Sequence, residues 1–229
     1  MQTLTFAPRT VARFAGLMYL IIIACGLYAG LGVREAMLVP GDPAATASSI
    51  LEDPFRFRLG FVADLVMALC DVAVGVAFFV LLRPLSFGLS LLAAFLRLAQ
   101  ASVIGINLLN HFWPVLLLQP GGAGAAFAPE QLHALVMLFL QAHATGYLIS
   151  GVFFGLCCLV LGYLLFRGHV VPRWIAVGIV AAGFAYLLDC TANFLFPDLT
   201  SYTELLMLVT AVAGELSLCV YLLVKGVRA

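Results

Sequence analysis

The sequence predicts an all-α, polytopic bundle of six transmembrane helices, and three observations carry that reading. Hydrophobic residues make up 64% of the 229-residue chain and charged residues only 10%. Soluble domains carry about 25% charged residues, so no water-facing surface could be covered here. Six stretches hold the roughly 20 predominantly apolar residues that a membrane helix needs: 11–33, 59–82, 87–113, 133–166, 172–195 and 204–225. Finally, the basic residues fall mostly on one side of those stretches, as a bundle with cytoplasmic N- and C-termini requires.

The first span follows Arg9 and Arg13, and Ile22-Ile23-Ala24-Cys25 loosely resembles a lipoprotein cleavage site. The apolar run continues past Cys25, so a retained helix is expected. In the first connection, Asp42 suits an N-cap and Pro43 a first helical position, which predicts a short external helix over 43–52 closed by Pro54. The run Pro120-Gly121-Gly122-Ala123-Gly124 is turn material. The fourth stretch would rise about 51 Å, too far for one straight span. Its start, between Pro129 and Gln141, is expected to project above the bilayer, lie in the interface or join at a bend near Gly146. Residues 1–229 read as one domain. The similar ends of the second and fourth spans (Leu82-Arg83-Pro84 and Leu165-Phe166-Arg167) hint at an internal repeat, although shared topology produces much of the same pattern.

With the N-terminus inside, the cytoplasmic face holds Arg9, Arg13, Arg83, Arg167, Arg173, Lys225 and Arg228, against Arg34, Arg56 and Arg58 outside. The loop acids Glu35, Asp42, Glu52, Asp53, Glu130, Asp198 and Glu204 are then external, and Trp113 and Trp174 sit near span ends. Net charge is zero and there is no basic tract, which leaves no electrostatic case for nucleic acid. The six cysteines lie in apolar runs without a Cys-x-x-Cys pair and read as small buried hydrophobes. No phosphate-binding loop, dinucleotide fingerprint or haem motif occurs, so neither a cofactor nor a metal is expected.

Five ionisable residues lie well inside spans: Asp64, Asp71, Arg97, Asp189 and Glu215. Each charge at the bilayer centre costs about 2.5–3.5 kcal/mol on insertion scales, so these groups must face one another, face water or hold protons. Counting about 1.5 Å per residue from the cytoplasmic edge puts Arg97, Asp71 and Glu215 at similar depths, about 15–18 Å. An Arg97–Asp71–Glu215 cluster is therefore expected near the midplane. Asp189, Asp64, Asn193 and Asn107 fall in a second layer, about 24–30 Å from that edge. Asp64 and Asp71 share a helix face, Asp189 and Asn193 are four residues apart, and Arg97, Gln100, Asn107 and His111 form one polar stripe. With His143 on the fourth span, these stripes are expected to converge on an outward-facing cavity above Arg97. The plainer reading is that Asn107, Gln100 and Ser150 glue helices together and that His111 and His143 are ordinary interface residues. Gly151-x-x-x-Gly155 is a close-packing signature of the same kind.

Arg13-Phe-Ala-Gly-Leu-Met-Tyr-Leu, Val39-Pro-Gly-Asp-Pro-Ala-Ala-Thr-Ala, Arg58-Leu-Gly-Phe-Val-Ala-Asp64, Leu82-Arg-Pro and Gly214-Glu-Leu-Ser-Leu are the most distinctive segments. With them the chain resembles, over nearly its whole length, a bacterial membrane family known as domain of unknown function 4386. The resemblance implies a six-helix, multi-pass protein of the bacterial plasma (inner) membrane and brings no activity. It departs at Gly168-His169-Val170, where a Ser-Gly-aromatic turn is expected.

The favoured reading is a non-enzymatic protein of the lipid bilayer that binds or transports a small molecule through Arg97, Asp71, Glu215, Asp64, Asp189, Asn193, Asn107, Gln100 and His143. One alternative is an intramembrane metal-dependent lipid hydrolase built on His143, Asp64 and Asp189. The other is a non-catalytic accessory subunit. Catalytic residues, ligand and oligomeric state are not legible in the sequence.

Overall fold

A computed structural model describes residues 7–227; Arg228, counted above among the cytoplasmic cations, lies outside them. Among the described residues there is no strand, and six helical segments are long and apolar enough to cross a membrane. The first is α1 (Pro8–Leu27), which runs on as a wider π-helical segment, Tyr28–Glu35. The others are α3 (Pro54–Leu82), α4 (Phe87–Leu118), α5 (Pro129–Gly168) and α6 (Arg173–Leu195), followed by a composite last span. That span begins in a short 3₁₀ turn and continues through α7 (Thr200–Ala211), a second π segment (Val212–Leu216) and α8 (Ser217–Val224).

The short helix α2 occupies Pro43–Glu52, as Asp42 and Pro43 predict: the Asp42 carboxylate accepts from the Ala45 N–H at 2.9 Å and Pro43 opens the first turn. Buried Thr46 then fastens the preceding loop. Its hydroxyl donates to the Asp42 carbonyl and accepts from the Val39 N–H. Pro54 ends α2 and also begins α3, where Asp53 caps the Arg56 N–H at 2.9 Å.

Two expectations about element length change. Helix α4 continues through Pro114 to Leu118, because a single proline removes one backbone hydrogen bond without obliging a long apolar helix to end. Helix α5 is one hydrogen-bonded helix of 40 residues, about 60 Å of rise, with no break at Gly146. Instead of a bend, Gly146 marks a close approach, since a Cβ there would collide with the Asn107 carboxamide.

The chain divides into two compact units. Among the described residues, one comprises 7–20, Cys70–Ala101 and 148–227; the other comprises Ile21–Leu69 and Ser102–Tyr147. In the second unit, Val33, Ile50, Phe57, Val115, Val136 and Leu140 form an apolar core that seats α2. In the first, small residues let helices touch backbone to backbone. A Cβ on Gly183 would stand 2.8 Å from the Gly155 carbonyl, and one on Gly214 would stand 2.7 Å from the Gly178 carbonyl oxygen. The Gly151/Gly155 signature thus packs against α6 of its own chain. Phe95, Ile106, Phe184 and Leu69 project outward, the apolar exterior that hydrocarbon demands.

The departure from the family turn has a backbone consequence. His169 is the one non-glycine with positive φ among the described residues, at 52°, where the resemblance leads one to expect a glycine nearby. Its ring lies 2.9 Å from the Arg173 guanidinium.

The glycine contacts generate a contrast that thermal unfolding in detergent can check. Gly214→Ala forces a methyl into the α6 backbone and is expected to destabilise by about 1–3 kcal/mol. Gly105→Ala meets nothing within 4 Å and is expected to be neutral or to stabilise by about 0.5–1 kcal/mol, the helix-propensity gain over glycine.

Candidate functional site

The first unit contains the cluster expected around Arg97, in altered form. Arg97 and Asp71 are both 1% exposed. The Arg97 Nε donates to Asp71 Oδ1 at 2.8 Å, and the Gln100 amide donates to Oδ2 at 3.1 Å. Arg97 Nη2 also lies 2.6 Å from Oδ1, yet neither Nη1 nor Nη2 makes a directed hydrogen bond. Proximity and bonding differ here because Nε already claims that oxygen, and a second donor approaching it lies off the favourable angle. Two aromatic rings cover the guanidinium: its carbon is 5.0 Å from the Tyr19 ring centroid and 5.2 Å from that of Phe154. Such stacking offsets part of a buried cation's desolvation and leaves most of the guanidinium's five donors unused.

Glu215 does not pair with Arg97. It stands on the π segment Val212–Leu216, and its two carboxylate oxygens accept from Tyr19 and Tyr186, each at 2.9 Å. Tyr19 therefore links the acids, with its ring over Arg97 and its hydroxyl on Glu215. Phe154 packs edge-on against Tyr186 at 5.0 Å and completes the enclosure. Neutral phenols satisfy the second carboxylate where the sequence reading assigned it to the arginine.

Asp189 and Asn193 belong to the same unit and serve a different contact. Asp189 Oδ1 accepts from the Thr203 hydroxyl at 2.8 Å, which ties α6 to α7. The Asn193 amide bonds back to the Asp189 carbonyl at 3.0 Å.

In the second unit, Asp64 is fully buried on α3. One carboxylate oxygen pairs with Arg34 and the other accepts from the Tyr147 hydroxyl at 2.6 Å. The Arg34 guanidinium also lies 5.0 Å from the Tyr147 ring. Arg34, counted from the sequence as a boundary charge, reaches Asp64 from the π segment Tyr28–Glu35. A π turn widens the helix and shifts the direction of the residues that follow, and such turns are frequent at functional sites. Arg56 reinforces the segment, with its Nε donating to the Gly32 carbonyl at 2.9 Å.

Asn107, His111 and His143 gather beside Asp64. The Asn107 amide donates to the His143 carbonyl at 2.8 Å, and the His143 Nδ1 lies 3.2 Å from the Asn107 carbonyl, a reciprocal tie between α4 and α5. His111 Nε2 lies 3.0 Å from the Phe57 carbonyl, and its ring stacks on Phe57 at 4.3 Å. His143 Nε2 stands 3.9 Å from Asp64 Oδ2. His143 and Asp64 thus come together as expected, but Asp189 does not join them. Among the described residues, the group with metal-ligand spacing is Asp64, His111 and His143.

Sequence reasoning missed Tyr19, Tyr147, Tyr186 and Arg34 as partners, and read His111 as part of the polar stripe or as an ordinary interface residue. One signal was available. Tyrosine in membrane proteins concentrates at the interfaces, whereas Tyr19 and Tyr186 lie inside apolar runs. Within each unit these polar side chains bond one another or nearby backbone. A separate surface depression of about 310 Å³ is lined by Leu38, Pro40, Gly41, Pro43, Met137 and Gln141 and includes none of them.

An uncharacterised protein of the archaeon Archaeoglobus fulgidus is 25% identical over 161 residues, covering 70% of this chain and 80% of that protein. No solved structure matches. The family described as Domain of unknown function (DUF4386) matches residues 14–226. With the match spanning all six apolar helices, the chain belongs to the DUF4386 family.

Proposed function

We propose that this multi-pass protein binds, and moves through the bilayer, a small molecule that presents oxygen acceptors to Arg97. The observation that supports this is the guanidinium itself. It is fully buried and paired with a single carboxylate; Nη1 has no acceptor, and Nη2 meets only the Asp71 oxygen that Nε already bonds. A buried donor without a partner costs about 1–3 kcal/mol, more when charged. A carboxylate or similar group could take both terminal nitrogens in a bidentate contact. Tyr19 and Phe154 flank the guanidinium and would contact the apolar part of such a ligand. Glu215, held by two phenols rather than by a cation, is placed to exchange partners as ligand enters. The protein is read as a single domain of the bacterial plasma membrane with both termini cytoplasmic. On that reading Arg97 is approached from the outer side, past Gln100.

Arg97→Ala leaves Asp71 buried without a countercharge and is expected to lower stability by about 3–5 kcal/mol. The Arg97→Gln/Asp71→Asn pair removes both charges and keeps the fold available for the binding test. Native mass spectrometry of protein purified from membranes should show a bound small molecule on the wild type and none on the double variant. An unchanged bound species on the double variant, or a bare wild type, overturns the reading.

Orientation is checked separately. Reporter fusions after Lys225 should be active on the cytoplasmic side, and fusions within residues 43–52 on the opposite side. The reverse pattern would place Asp64 and its neighbours toward the cytoplasm.

A further inference from the structure

Two imidazole lone pairs without a donor meet a buried carboxylate in the second unit. Asp64, His111 and His143 come from α3, α4 and α5 and are 0%, 0% and 1% exposed. A carbonyl oxygen only accepts, so the ring nitrogen that faces one must carry hydrogen. His111 Nε2 faces the Phe57 carbonyl at 3.0 Å, and His143 Nδ1 faces the Asn107 carbonyl at 3.2 Å. In a neutral imidazole the opposite nitrogen then holds a bare lone pair. Those opposite nitrogens, His111 Nδ1 and His143 Nε2, are buried and have no hydrogen-bond partner. One ligand atom from each of the three residues lies within 4.8 Å of the others.

The two imidazole lone pairs cannot satisfy one another, and an electropositive ion shared with Asp64 would satisfy both. We propose that Asp64, His111 and His143 form a site for one divalent transition ion, zinc by preference. Two imidazoles and one carboxylate are donors suited to zinc and its neighbours in the first transition row; calcium and magnesium prefer sets made only of oxygen. Histidines that ligate metal commonly donate their other ring N–H to a backbone carbonyl, which fixes tautomer and ring direction. Both histidines here are held that way. With bonds of about 2.0–2.1 Å, tetrahedral ligands stand roughly 3.4 Å apart. The 3.9 Å between His143 Nε2 and Asp64 Oδ2 therefore closes by about 0.5 Å on binding. Three protein ligands leave a fourth position for water or a substrate oxygen, the arrangement of catalytic rather than structural zinc.

Arg34 is the competitor. Its guanidinium supplies the positive charge that Asp64 now faces, and its side chain is 19% exposed at the end of the π segment, so it has an outward route. A divalent ion beside that guanidinium would be repelled, and metal loading therefore displaces Arg34 from Asp64. The site shares no residue with the Arg97 cluster, and neither reading depends on the other.

The test uses the full chain in detergent, stripped with a chelator and titrated with Zn(II) and with Co(II), whose visible bands report tetrahedral nitrogen and oxygen ligation. The wild type should take up one ion per chain. His111→Gln and His143→Gln should each weaken uptake by at least about 100-fold, the loss of a first-row ligand exceeding that of its outer support. Arg34→Gln should strengthen uptake by about tenfold, consistent with removal of one partly exposed charge. His133→Ala and His169→Ala, outside the group, should leave it unchanged. Folded wild type that takes no ion, holding water at these lone pairs instead, overturns the proposal. So does uptake that survives the His111→Gln/His143→Gln double variant.

Discussion

A charge in hydrocarbon has no water to solvate it, and the interior of this protein is organised around that fact. The Asp71–Arg97 pair is the clearest case: two ions, each 1% exposed, bonded across α3 and α4 and supported by Gln100. Losing either partner would leave the other uncompensated in a low-dielectric surrounding, a penalty of several kcal/mol. The same demand turns Asp64, Asp189 and Glu215 toward hydroxyls, amides or a guanidinium from neighbouring helices. Outer faces are left to Leu, Val, Ile and Phe. Apolar association adds little between helices already in lipid, so these polar contacts and the glycine approaches determine which helix faces meet.

Backbone geometry serves the pairing. Both π segments carry an ionisable side chain that enters a cluster: Arg34 from Tyr28–Glu35 and Glu215 from Val212–Leu216. A regular α-helix would direct those positions elsewhere, since one extra residue in a turn rotates everything beyond it by about 100°. The second π segment also holds Gly214, whose missing side chain lets the Gly178 backbone approach. Irregularity and close contact therefore coincide at one place in the last span.

Neutral partners matter as much as charged ones. Glu215 is held by two tyrosines, Asp189 by Thr203 and Asn193, and Asp64 by Tyr147 together with Arg34. Each phenol joins an apolar ring to a polar tip, so it packs inside the bundle and still delivers a donor. This leaves Arg97 with unused N–H groups in the first unit and two imidazoles with unused lone pairs in the second. The functional readings start from those unfilled capacities, which are electrophilic in the first case and nucleophilic in the second.

Much was already decided by the sequence. Apolar runs of membrane length specify the six spans, because a chain without polar cover cannot fold in water. Local chemistry specifies α2, where Asp42, Pro43 and Pro54 each act on adjacent backbone. The depth count brings Asp71 and Arg97 to one level, and the structure bonds them. It cannot assign Glu215 to Tyr19 and Tyr186, Asp64 to Arg34, or His111 to the group with His143. Depth along a helix follows from residue number, but pairing also requires each helix's rotation and neighbours. The π turns change that rotation, and the glycine contacts set the spacing. Those are properties of the packed bundle, and the tertiary structure alone supplies them.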